Sequence, residues 1–192
     1  MALCSALPLW VDLRRLPRIM HPPRIPAKVL SELNRQFNHE LSAAHGNLAL
    51  SLWCEDQNLK GFASYFAKQS VEEHGHAKKI ASHLVDRGVL PEVAAVAAPK
   101  NSFKSLLEVA HQAQAMEMAN TKGINAVYEA ALAAKDYPAQ VLMQWFIGEQ
   151  VEEEAWCLEM VERVQAANCA GGMSDLDRHI ERYLGKGTAD SE

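Results

Sequence analysis

No stretch of the chain approaches the roughly twenty consecutive apolar residues that a membrane-crossing helix requires, so insertion into a bilayer is not expected. Cysteine is scarce and scattered. Cys4, Cys54, Cys157 and Cys169 form no C-x-x-C pair and no framework spacing, which points to free thiols in a reducing, cytoplasmic compartment. Excess positive charge is also missing: 19 Lys and Arg against 24 Asp and Glu give a net charge of −5 and no basic surface suited to nucleic acid. Proline is nearly absent after the start, because Pro8, Pro17, Pro22, Pro23 and Pro26 crowd the first residues and only Pro91, Pro99 and Pro138 follow. A short apolar run precedes Arg14, Arg15 and Arg18 rather than following positive charge, the wrong order for a secretory signal.

What remains is 192 residues, 48% of them hydrophobic, enough for one domain with a real core. The proline pattern starts that domain near Ala27 and assigns it residues 27–185, leaving 1–26 as a flexible extension and 186–192 as a disordered tail. Met20 lies just upstream, so residues 1–19 suit an over-long start equally well. Helical spacing runs through Leu30, Leu33, Phe37, Leu41, Ala44, Leu48 and Leu52, and after a turn through Phe62, Phe66, Gln69, Glu73, His76 and Ile80, with Gly88 placed to close the second helix. Residues 88–101 then carry Pro91 and Pro99 without periodicity and are long enough to run the length of a bundle, about 40 Å if extended. Ser102 is a candidate cap for a third helix reaching about Asp136, a fourth helix extends to about Asn168, and Gly171 and Gly172 separate it from a short fifth beginning at Ser174. Two helices, a long crossover, two more helices and a short fifth predict an all-α four-helix bundle.

Each apolar stripe breaks near mid-length for an acid: Glu40, then Glu73 with His76, then Glu117, then Glu149 with Glu153. Antiparallel helices of similar length align their midpoints, so these side chains meet in one interior layer. Uncompensated burial of several carboxylates exceeds the ~5–15 kcal/mol of net stability a domain possesses, so protons or cations must neutralise them. The four carboxylates of Glu40, Glu73, Glu117 and Glu153 balance two divalent ions, with Glu73 able to bridge both and His76 on the same face as a nitrogen ligand. Glu72, Glu149, Glu152 and Gln150 remain for a third, looser ion or a transfer route. Oxygen-rich ligation without thiolate suits iron or manganese over a zinc structural site or copper.

The runs LNRQFNHEL around Glu40, VEEHGH around Glu73 and His76, the Glu117 helix ending in KDYP, and QWFIGEQVEEE from Gln144 to Glu154 resemble the bacterial non-haem ferritins over residues 30–185. The resemblance implies one ferroxidase iron site at Glu40, Glu73 and His76, a second at Glu73, Glu117 and Glu153, and a third at Glu72, Glu149 and Glu152, with Gln150 beside the centre. It further implies that Fe(II) is oxidised by dioxygen or peroxide at a diiron centre with two irons per subunit and no haem. The ferric mineral would be stored in a homo-oligomeric shell of 24 subunits. Asn47 stands where the family carries a tyrosine, which leaves Trp145 as the nearby candidate electron donor.

Other readings compete. A lone Glu-x-x-His is common on surface helices, and it is the whole constellation that carries weight. A rubrerythrin-like diiron peroxidase is the alternative, although it would bring a cysteine-rich module that is not in the sequence. A metal-free scaffold would leave the acids protonated or solvated. Trp145 and Trp156 fill core volume in the simplest view, and Gly75, Gly123 and Gly148 mark close helix approach or a loosened site.

Overall fold

The structure is a computed structural model that describes residues 25–167 and 169–184. Among the described residues five helices follow one another: α1 (Ala27–Asp56), α2 (Lys60–Asp86), α3 (Leu106–Ala133), α4 (Tyr137–Ala166) and α5 (Ala170–Tyr183). Helix α1 packs on α2, α3 on α4 and α1 across α3, while α5 lies against α2 and α4. This is the ferritin-type bundle with one long connection and a short fifth helix. No helix among the described residues is long and apolar enough to cross a membrane.

The first three helices end alike. Asn58, Gly88 and Lys135 take positive φ of 59°, 82° and 55°, and the residue after each donates back to the carbonyl five positions earlier: Leu59 to Cys54, Val89 to Leu84, Asp136 to Ala131, all at 2.9 Å. Between α2 and α3 the chain forms no helix or strand, and two amides of α1 hold its backbone at Glu92 and Ala94. Asn34 accepts from the Glu92 N–H at 3.0 Å, while Asn38 accepts from Ala94 N–H and donates to Glu92 O, both at 2.8 Å.

Three local details differ from the sequence expectation. Helix α3 is capped by Ser105, not Ser102: its hydroxyl accepts from Glu108 N–H at 3.3 Å, and the Glu108 carboxylate returns to Lys104 N–H at 2.8 Å, so two orphan donors are satisfied at once. Helix α5 starts at Ala170 rather than Ser174, because the Cys169 sulfur accepts from Gly172 N–H and places both glycines inside the first turn. On α1, repeated steps of four drift around a helix of 3.6 residues per turn, so Leu48 and Leu52 are exposed while Ala43, Asn47 and Leu50 turn inward. Of the expected extension 1–26, residues 1–24 lie outside the described residues, and Ile25 is buried in the core; the tail 186–192 and Asn168 also lie outside.

The interior holds two apolar clusters rather than one. One gathers Leu50, Phe62, Phe66, Val109, Met160 and, from α5, Leu176 and Ile180. The other gathers Val29, Leu33, Ile80, Ile124, Met143 and Phe146. Gly61 allows α5 to close the first cluster, since a Cβ there would lie 1.7 Å from the Asp177 carbonyl oxygen. The adjoining Asp177 carboxylate then accepts from Phe62 N–H at 3.0 Å and caps α2 from outside it.

At the far end, Asp136 both caps α4, accepting from Ala139 N–H at 3.3 Å, and holds the Arg87 guanidinium through two bonds of 2.8 and 2.9 Å. Because its side chain is 1% exposed, Asp136→Ala leaves a half-sequestered cation and an uncapped helix, and is expected to cost about 3–5 kcal/mol in chemical unfolding of the subunit. A loss below about 1 kcal/mol would show that the pair contributes no more than a surface bridge.

Candidate metal centre

Between the two apolar clusters lies a polar layer supplied by all four long helices. From α1 come Gln36 and Glu40, from α2 Gln69, Glu73 and His76, from α3 Glu117 and Asn120, and from α4 Gln150 and Glu153, every one of them buried. The four carboxylates are at most 4% exposed. Their convergence follows from antiparallel register: Ser51 Oγ donates to Ala63 O and Ser70 Oγ to Ala44 O, both at 2.8 Å, which sets Glu40 level with Glu73.

Ligand atoms of Glu40, Glu73 and His76 all lie within 4.8 Å of one another, the one such triplet among the described residues. His76 Nδ1 is 3.2 Å from Glu73 Oε2, and the edges of Trp145 and Phe146 fix its ring, each with centroids 5.5 Å away. Burial, then the charge of Glu73, pushes the Glu40 carboxyl up to about 8. Burial also raises Glu73 well above the usual carboxylate range, with Glu117 the strongest of the neighbouring charges and Glu153 adding to it. Burial and mutual repulsion thus favour protonation of these acids when no cation balances them, and a side-chain hydrogen bond links Glu40 to Glu73. Glu73 thus lies against Glu40 and His76 and also feels the charges of Glu117 and Glu153.

Buried amides orient the acids. Gln36 Nε2 donates to Glu40 Oε1 at 2.8 Å and Asn120 Nδ2 to Glu40 Oε2 at 3.2 Å. Gln69 Nε2 donates to Glu153 Oε2 at 3.0 Å, and Gln150 Nε2 to Glu117 Oε2 at 3.3 Å. Sequence reasoning gave no role to Gln36, Gln69 or Asn120, although each sits three or four residues from an acid on the same helix face. Gly123 permits the close approach behind this network: a Cβ would fall 2.2 Å from Gln36 Oε1, and its carbonyl accepts from Arg35 at 2.8 Å. Gly75 and Gly148 face open space, so close packing accounts for neither.

The remaining expected residues fall differently. Glu72 and Glu152 are exposed and Glu149 is half-buried, so they border the layer without closing into a compact set. Asn47 is buried at 2% exposure, and its Nδ2 has no hydrogen-bond partner. Trp145 carries the Lys79 ammonium 3.6 Å above its ring, and a cation there makes removal of an electron from the indole harder. Tyr65 is the buried phenol that sequence reasoning passed over; burial pushes its hydroxyl acidity down, and the charges of Glu153 and Glu117 act in the same direction. Thiolate ligation is disfavoured, because burial pushes the Cys54 thiol up to about 12. The compact donor set is thus the two carboxylates of Glu40 and Glu73 with the His76 imidazole, and Glu117 and Glu153 are buried in the same layer; this oxygen-rich chemistry suits hard or borderline ions such as ferrous and ferric iron.

Comparison with known proteins agrees with this architecture. The family model for a Ferritin-like domain matches residues 30–167. Over 165 residues the chain is 40% identical to the bacterial non-heme ferritin of Staphylococcus aureus (strain MRSA252), covering 85% of this chain and 97% of that protein. It is also 40% identical over 127 residues to the one from Staphylococcus haemolyticus, covering 66% and 76%. Among solved structures, an open pore ferritin from the hyperthermophilic archaeon Archaeoglobus fulgidus superposes with a TM-score of 0.79 at 31% identity, covering 81% of this chain and 97% of that one.

Proposed function

The chain belongs to the ferritin family of iron-storage proteins, and from that premise we propose that it is a cytoplasmic ferroxidase that oxidises Fe(II) in its own interior and stores the ferric product in a hollow homo-oligomeric shell of 24 subunits. The observation that carries the proposal is the buried layer itself. Four carboxylates at most 4% exposed, two of them with strongly raised proton affinity, make an interior that exchanges protons for divalent cations.

Glu40 and His76 hold one substrate ion, Glu117 and Glu153 the other, and Glu73 reaches both. Two Fe(II) each release one electron, dioxygen accepts the pair together with two protons, and hydrogen peroxide leaves as two Fe(III) form. With peroxide as oxidant the same two electrons and two protons yield water. The chain's contribution is to hold two ions close enough to act together and to keep the acids aimed through Gln36, Gln69, Asn120 and Gln150. Glu72, Glu149 and Glu152 border this layer and serve as a third, transient station from which Fe(III) moves to the mineral.

Anaerobic titration with Fe(II) followed by oxygen uptake tests this reading. The expected result is saturation at two ferrous ions per subunit, rapid dioxygen consumption on mixing with air, and a mineral that sediments with the protein. Absence of saturable binding would leave a scaffold, while turnover confined to peroxide without mineral would favour the rubrerythrin-like alternative.

A further inference from the structure

The Trp145 indole stands beside the acid layer, against two residues of one helix face. His76 and Lys79 lie three residues apart on α2, so the imidazole and the ammonium project toward the same side. Trp145 of α4 meets both. Its ring packs edge to face on His76, a member of the compact donor set, with centroids 5.5 Å apart and planes at 79°. The Lys79 Nζ lies 3.6 Å from the centroid of that ring, and Phe146 braces the ring from its own helix at 4.9 Å and 84°. Among the described residues Lys79 has no carboxylate partner, so its charge rests on the indole undivided. The attraction between an ammonium and π electrons turns to repulsion once one of those electrons is removed.

We propose that Lys79 withholds Trp145 from the redox chemistry of the centre, so that the electrons taken by dioxygen or peroxide come from iron and none from the indole. Lys79 touches neither ligand nor substrate and acts through Trp145. In a chain without this charge, one Fe(II) and Trp145 each give one electron to hydrogen peroxide, which takes up two protons and leaves as two waters. The oxidised indole then loses its N–H proton to water and remains as a neutral radical. With Lys79 in place the second electron comes from a second Fe(II), and the side chain that supports His76 stays intact through repeated turnover. The purpose of this control rests on the ferroxidase reading. The electrostatic effect on the indole does not, since it needs only the contact between Lys79 and the ring.

The first measurement exposes the assembled, metal-free full chain to the azide radical, a small one-electron oxidant of tryptophan, and maps oxidation at Trp53, Trp145 and Trp156 by peptide mass spectrometry. Lys79→Met keeps the length of the side chain without its charge, and Lys79→Arg keeps the charge. Oxidation of Trp145 is expected to rise at least about threefold in Lys79→Met, in keeping with the strength of an exposed cation–π contact, and to stay at the parent level in Lys79→Arg. Trp53 and Trp156 should not change. Equal oxidation of Trp145 in parent and Lys79→Met, a rise in Lys79→Arg as large as in Lys79→Met, or a matching rise at the other two indoles overturns the proposal. The second measurement freezes samples during Fe(II) oxidation by peroxide for electron paramagnetic resonance. A tryptophan radical should appear in Lys79→Met, be absent from parent and Lys79→Arg, and vanish when Trp145→Phe is added. Iron oxidation in Lys79→Met without that radical overturns the role in turnover. Failure of every chain to oxidise iron would instead reject the ferroxidase reading, and the metal-free measurement would still decide what Lys79 does to the indole.

Discussion

Glu73→Ala should lower the initial rate of dioxygen-dependent Fe(II) oxidation at least about a hundredfold, because losing even an outer-shell partner of a metal costs ten- to a hundredfold and, on the assignment proposed above, this change removes a direct ligand from both ions. Glu73 is the residue that has ligand atoms of Glu40 and His76 within 4.8 Å and also feels the charges of Glu117 and Glu153. The bundle should remain folded, since the substitution deletes a buried carboxyl that costs stability whenever it is ionised. The informative control is Glu72→Ala, one residue away but exposed, which is expected to stay within a few-fold of the parent. Stopped-flow absorbance of ferric product decides the matter. A Glu73→Ala protein that oxidises at the parent rate would reject the shared-ligand assignment, and equal losses in both variants would reduce the effect to general negative charge.

The second large effect is on the metal-free protein. The Glu40 carboxyl titrates near 8 in the fold against 4.5 in the unfolded chain, so between these values the native state holds a proton that the unfolded state has released. Stability from this residue is fully present below pH 4.5 and is lost as pH rises toward 8, by on the order of 5 kcal/mol, with Glu73 acting in the same sense. His39 and His83, whose proton affinity burial depresses, run the opposite way below their ordinary value of 6.5. The clean window is therefore pH 6.5 to 8, where Glu40 alone should remove about 2 kcal/mol. Scanning calorimetry of the metal-free protein should show Tm falling across that window, Glu40→Gln should flatten the fall, and a saturating divalent cation should restore Tm at the upper end. A parent Tm that is level or rising there would mean the acids are hydrated and the layer is not dry.

Some of this was legible residue by residue. Phe62, Phe66, Gln69, Glu73, His76 and Ile80 lie on one line of α2, and all six are buried, so an acid and an imidazole on a core line were readable as an anomaly before any contact was known. The same reasoning misplaced Leu48 and Leu52, because a helix with two partners buries more than one narrow stripe and periodicity alone does not say where the stripe ends. Ser105 was overlooked for Ser102 because both satisfy the preference for a hydroxyl at a helix start. The bonds from Glu108 N–H to the Ser105 hydroxyl and from Lys104 N–H to the Glu108 carboxylate separate them. Gln36 and Asn120 were invisible as site residues because an amide on a helix is ordinarily a surface residue, whereas Gln69 stood on the core line of α2 and only its bond to Glu153 gives it a task.

The sequence by itself determined the helices, their order, the long crossover and the presence of acids at mid-length, since these depend on periodicity and chain stiffness, which act over neighbouring residues. The tertiary structure alone decided that Glu40 and Glu73 are linked by a side-chain hydrogen bond, that amides from four helices aim the acids, and that Asn47 is buried with an unmet donor. Proton sharing and ligand spacing depend on ångström distances between segments far apart in the chain, and those distances exist only once antiparallel register brings the helices level.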